Sequence, residues 1–173
     1  MRVPPRLAAA VAVVDPAPDA RVLEVGCGRG VAAALLVARL PAGHYTGIDR
    51  SPTATAATRA RIAEAVAAGR AQVRTEALAD HRPDAVDLAL AVNVNVFWTR
   101  PAARELAVLA SALDPGGVLH LVYGSDGGGP PRADVVDPLI AHLGAAGFAA
   151  EVATPEHGGV RLLHLRAARR VGR

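Results

Sequence analysis

Val22-Leu23-Glu24-Val25-Gly26-Cys27-Gly28-Arg29-Gly30 is a strand-forming run that ends in a glycine-rich turn. Val22, Leu23 and Val25 favour a buried strand, and glycines then occupy every second position. The run Val31 to Leu40 that follows is rich in alanine and leucine and suits a helix. Glycine admits positive φ and leaves no Cβ between the main chain and a ligand. A helix starting beyond such a turn presents unpaired N–H groups and the positive end of its dipole. Strand, turn and helix together therefore predict a ligand-binding loop, where an isolated glycine turn predicts only a sharp bend.

The spacing narrows the ligand. A dinucleotide-binding loop of the form G-x-G-x-x-G, counted from Gly26, needs glycine where this chain has Val31. The pattern here is Glu24-x-Gly26-x-Gly28-x-Gly30, which resembles motif I of the class I S-adenosylmethionine (SAM)-dependent methyltransferases. Gly47-Ile48-Asp49 closes the next predicted strand. An acid at that tip is placed to hold ribose hydroxyls, a property shared with NAD enzymes, so the glycine spacing is what discriminates.

From this centre the chain alternates strand and helix. A short helix, Leu7 to Val14, precedes the first strand, Arg21 to Val25, within an N-terminal segment 1–20. Then follow helix 31–40, strand 45–49, helix 51–68, strand 71–76, strand 86–93, helix 101–113, strand 118–123, helix 132–146 and a hairpin of 148–153 with 160–166. Residues 167–173 read as a basic tail. This alternation predicts one α/β domain over residues 1–173, a mostly parallel sheet with helices on both faces and an antiparallel last hairpin. The family resemblance implies the same: a Rossmann-like doubly wound seven-stranded sheet ordered 3-2-1-4-5-7-6. Leu113-Asp114-Pro115-Gly116-Gly117-Val118-Leu119 resembles the family's turn before its fifth strand.

Composition sets outer bounds. The 173 residues are 51% hydrophobic and 3% aromatic, so the core is built from alanine, valine and leucine. The 19 basic residues are all arginine, and the net charge of +3 is too small to mark a nucleic-acid binder by itself. Cys27 is the single cysteine, so no internal disulfide forms and a reducing cytoplasmic setting is expected. No run approaches the ~20 apolar residues of a membrane span.

The resemblance implies SAM as cofactor and S-adenosylhomocysteine (SAH) as product. It places the methionine part against Gly26, Gly28 and Gly30, Glu24 toward the ammonium, and Asp49 on the ribose with Arg50 beside the adenine. Glu76-Ala77 matches the pair that meets the adenine, with one methylene more than the usual Asp, and Asn93 offers its backbone carbonyl. Cys27 belongs to the same turn and reads as a small structural residue there. Asn95, Trp98, Tyr123 and the loop Gly124 to Pro131 fall at the carboxyl ends of the fourth and fifth strands, where an acceptor would lie. His81 is the weak candidate for a general base, and the catalytic residues are otherwise open. His120 and His164 read as core histidines.

Several acceptor classes lose support. Asn93-Val94-Asn95-Val96 lacks the Asn/Asp-Pro-Pro-aromatic element of enzymes that methylate base or glutamine amino groups. Cys27 is misplaced for the nucleophile of carbon-methylating pyrimidine enzymes, and no acid cluster suggests a bound metal. The expectation is methyl transfer to a small molecule. RNA or protein methylation remains an alternative, as does a non-catalytic SAM-binding subunit; oligomeric state is open.

Overall fold

A computed structural model describes residues 3–126 and 133–170. Seven strands form one sheet: β1 (Arg21–Val25), β2 (His44–Asp49), β3 (Ala71–Thr75), β4 (Val86–Val92), β5 (Leu113–Tyr123), β6 (Phe148–Ala153) and, after two short strands, β9 (Leu163–Arg169). Their order is β3-β2-β1-β4-β5-β9-β6, and β7 (Glu156–His157) pairs with β8 (Val160–Arg161) in a separate ribbon. With that ribbon set aside, β9 is the seventh strand and the order is the expected 3-2-1-4-5-7-6. The first five strands are parallel; β9 runs antiparallel to both β5 and β6.

Strand parity sorts the side chains to two cores. Val22, Tyr45, Val73, Leu88, Leu90 and Val122 face α1 (Pro5–Val14) and α2 (Val31–Arg39). Leu23, Val25, Ile48, Ala89, Leu119 and Leu121 face the other way, toward α6 (Ala103–Ala112) and α7 (Val136–Ala145). Both neighbours on β4, Ala89 and Leu90, are fully buried, as a central parallel strand requires. Each fully buried leucine contributes about 1.5–3 kcal/mol, and leucines carry most of this aromatic-poor core. His120 and His164 stack within it, Nδ1 to Nε2 at 2.9 Å, and burial drives the pKa of His120 down to about 3.

Four expectations are corrected. Helix 51–68 is two helices, α3 (Pro52–Arg61) and α4 (Ala63–Ala67), which meet at Ile62. Helix 101–113 is shorter, Ala103–Ala112, and a separate turn of helix, α5 (Val96–Thr99), precedes it. The basic tail begins later: Ala167–Arg169 belong to β9, with Ala167 buried between exposed Arg166 and Arg169. Leu163, Leu165 and Ala167, spaced at a strand's period of two, share its inward face. Finally, β5 absorbs Asp114-Pro115-Gly116-Gly117 through a register shift against β4.

The connection from β3 to β4, where the sequence offers no helix, carries a 3-10 turn, Leu78–Asp80, in place of the crossover helix usual in a doubly wound sheet. The sheet face over β1 to β3 is therefore left partly open. The chain compensates with polar side chains: Thr46 accepts from Gln72 Nε2 at 3.1 Å, and Gln72 Oε1 accepts from Arg74. Among the described residues, no helix is long and apolar enough to cross a membrane.

Candidate active site

The glycine turn is pinned from two sides. Gly26 and Cys27 both donate from their backbone N–H to Ile48 O, at 2.8 and 3.1 Å. Thr58 of α3 donates its hydroxyl to Gly28 O at 2.8 Å, and Arg61 Nε donates to Arg29 O at 2.9 Å. Gly30, at φ 78°, opens α2; a Cβ there would stand 2.8 Å from Thr58 Cα, so only glycine lets α3 approach. Gly26, at φ 72°, lies under Val94, whose Cγ2 would be 2.9 Å from a Cβ.

Asp49 joins the turn to the end of β2. One carboxylate oxygen accepts from Gly28 N at 3.0 Å and the other from Ser51 N at 2.9 Å. Ser51 in turn caps α3 by accepting from Ala54 N at 3.2 Å, and Pro52 follows at the first helical position. A carboxylate has about four acceptor positions, so Asp49 keeps capacity for two more donors.

A cavity of about 680 Å³ opens beside this turn at the carboxyl ends of the parallel strands. Of the residues expected to hold the cofactor, Gly26, Asp49, Arg50, Glu76, Ala77 and Asn93 line it, and so does Asn95, expected to face the acceptor. Asn93 takes φ 56° and clasps Gly124 reciprocally, Nδ2 to O at 2.9 Å and Gly124 N to Oδ1 at 3.0 Å. Asparagine tolerates this left-handed turn, which ends β4 at the cavity mouth. Sequence reasoning missed Thr99, Arg100 and Glu105 on the same wall. Arg100 pairs with Glu105, 11% exposed. Burial, the largest single influence, pushes the Glu105 carboxyl up, but the Arg100 hydrogen bond, a backbone hydrogen bond and the charges of Arg100 and Arg104 together leave its pKa lowered.

Other expected residues lie elsewhere. Glu24 has the opposite parity to Val25, which lines the cavity, so it is buried behind the turn. Its Oε2 accepts from Tyr45 Oη at 2.5 Å, and burial lifts its pKa to about 7. Cys27 is buried, and burial raises its thiol to about 11; it fills space as a neutral group. Gly28 and Gly30 shape the turn from outside the cavity lining. Trp98 packs on the α6–α7 core, and Tyr123 is buried and donates to Val94 O at 3.1 Å, so neither lines the cavity. His81 is 2% exposed, with Nδ1 2.6 Å from Glu76 Oε1; it stands behind Glu76 and does not line the cavity where a base would act. The loop expected over Gly124 to Pro131 falls largely outside the described residues.

A family model described as "Methyltransferase domain" matches residues 23–119, from β1 into β5. The chain belongs to the class I SAM-dependent methyltransferase family. Within this methyltransferase family, a trans-aconitate 2-methyltransferase of Methylobacterium nodulans is 38% identical over 109 residues, which cover 63% of this chain and 40% of that protein. The chain thus matches well under half the length of the curated relative. Magnesium protoporphyrin IX methyltransferase of Synechocystis PCC 6803, solved with bound SAM, has a TM-score of 0.68 at 21% identity, over 95% of this chain and 76% of that one. The cyclase SpnF has a TM-score of 0.70 at 23% identity, over 96% of this chain and 81% of that one. At such identities these two likenesses speak for the methyltransferase fold alone.

Proposed function

We propose that this protein binds SAM in the cavity beside the glycine turn and transfers its methyl group to a small-molecule acceptor. The observation that carries the proposal is the convergence of Gly26, Asp49, Arg50, Glu76, Ala77 and Asn93 on one cavity of about 680 Å³. That volume sits in the roughly 300–1,000 Å³ range of small-ligand sites. The donor set suits an adenosyl compound: Asp49 retains acceptor capacity for a ribose diol, Glu76 presents a second carboxylate, and Gly26 brings bare backbone to the surface.

SAM supplies an electrophilic methyl on a sulfonium, which departs as a neutral thioether. The protein's part is to align donor and acceptor and to exclude water, and no strong base is needed when the acceptor is already nucleophilic. Val94 and Val96 supply apolar wall to the cavity, while Asn95, Thr99 and Arg100 supply polar groups on the acceptor side. Arg50 and Arg100 line it beside the carboxylates of Asp49, Glu76 and Glu105, and Arg100 is already paired with Glu105, so an anionic acceptor such as a carboxylate would meet Arg50 or take Arg100 from that pair. The curated relatives named for trans-aconitate point to the same acceptor class.

Calorimetric titration with SAM, SAH and, as control, NAD tests the cofactor. Micromolar binding of both adenosyl compounds with none of NAD is expected; absence of adenosyl binding overturns the proposal. Transfer of labelled methyl from SAM to a panel of carboxylates, phenols and amines then tests the acceptor class. The cyclase SpnF, sharing the fold, shows why that second assay is needed.

A further inference from the structure

His81 and Glu76 form a contact that the methyl-transfer chemistry does not use. Glu76 leaves the end of β3, its N–H donating to Asp49 O at 3.0 Å, and its carboxylate reaches the cavity. The 3-10 turn Leu78–Asp80 then folds the chain back, with His81 N donating to Ala77 O and Leu78 O at 3.1 Å each. This brings the imidazole behind Glu76, Nδ1 to Oε1 at 2.6 Å. An ionised carboxylate only accepts, so Nδ1 carries the proton and donates. Nε2 is buried and makes no hydrogen bond among the described residues. A buried imidazole with one unsatisfied nitrogen is unfavourable for folding, which sets His81 apart from His120 and His164, paired with each other in the core.

We infer that His81 is a positioning residue that fixes the Glu76 carboxylate to receive the amino group of the cofactor's adenine. This rests on the SAM-binding reading above. A glutamate side chain has three rotatable bonds, and Glu76, 26% exposed at the edge of an open cavity, would otherwise sample many rotamers. His81 takes one oxygen and leaves the other for the ligand. Ordering the carboxylate in advance lowers what binding must spend on it. The short β3–β4 connection thus does at this edge what a longer acidic loop would leave to chance.

The test uses the full chain with SAH and S-inosyl-L-homocysteine, whose base bears a carbonyl in place of the amine. Wild-type protein is expected to prefer SAH by about tenfold or more. His81→Leu should lower SAH affinity about fivefold to tenfold and reduce that preference toward the value for Glu76→Gln, with little further loss in the double variant. His81→Asn places an amide N–H where Nδ1 stood and should restore both affinity and preference; His81→Gln reaches only the Nε2 position and should not. In turnover, KM for SAM should rise with kcat little changed. A merely structural histidine would shift affinity for both ligands equally. Unchanged discrimination in folded His81→Leu or His81→Gln overturns the inference while leaving the cofactor reading intact. Failure of wild-type protein to bind SAH removes both.

Discussion

The two ends of β1 treat charge in opposite ways. At its start, Arg21 meets Asp87 and Asp114 in the open: the guanidinium donates to Asp87 Oδ1 at 2.6 Å and also pairs with Asp114, and all three side chains are about 40% exposed. Three residues on, Glu24 is 3% exposed, held by one tyrosine hydroxyl, and its pKa stands near 7. The first arrangement is solvated and replaceable. The second is unfavourable in isolation and lies directly behind the glycine turn, where positive-φ glycines also cluster. Strain and buried charge gather at the carboxyl end because the cavity is built there.

The comparison breaks most severely at Gly30. Gly30→Val forces a β-branched residue to φ 78° and drives its Cβ into the α3 backbone. Backbone strain and overpacking together should lower stability by about 3 kcal/mol or more and abolish SAH binding. Thermal denaturation and calorimetry read both; a stable, SAH-binding variant would show that α3 moves freely. Asp49→Ala should leave the circular dichroism spectrum unchanged while SAH affinity falls about 100-fold, since hydrogen bonds to a charged group are lost. Full retention of affinity would move the ribose elsewhere.

Glu24→Gln sharpens the contrast through pH. The folded-state pKa of Glu24 lies above its unfolded value of 4.5, so the native state holds a proton that the unfolded chain releases. Its penalty on wild-type stability is absent below pH 4.5, grows between 4.5 and about 7, and is complete above. The glutamine variant, neutral throughout and still able to accept from Tyr45, should gain on the order of 2 kcal/mol at pH 8 and nothing at pH 4. A gain that does not vary with pH would mean that the carboxylate is not the cause. At the other end, Arg21→Ala should have the smallest effect: a slight lowering of Tm that fades in ~1 M salt, where screening acts over about 3 Å. A loss as large as that of Gly30→Val would contradict the contrast.

Much of the fold was legible because its signals are local. Alternating apolar runs and glycine or proline breaks located the strands, and the glycine spacing with Asp49 located the cavity before any contact was known. Other features were legible in principle and missed. Parity places Glu24 opposite Val25, and the same rule puts Ala167 on the inward face with Leu163 and Leu165. The break at Ile62 and the register shift before β5 left no comparable local sign, since both answer to packing on distant strands.

The sequence by itself determined the order of elements, the glycine turn and the acid at the tip of β2, because each depends on backbone propensities within a few residues. The tertiary structure alone decided which side chains share the cavity. It turned Glu24 toward Tyr45, set Arg100 and Glu105 on the cavity wall and folded His81 behind Glu76. The first depends on which way β1 faces β2 across 21 residues; the other two join residues five apart, and depend on how a turn or a helix start docks at the end of the sheet. Burial also moved the Glu24 pKa, which no local pattern encodes.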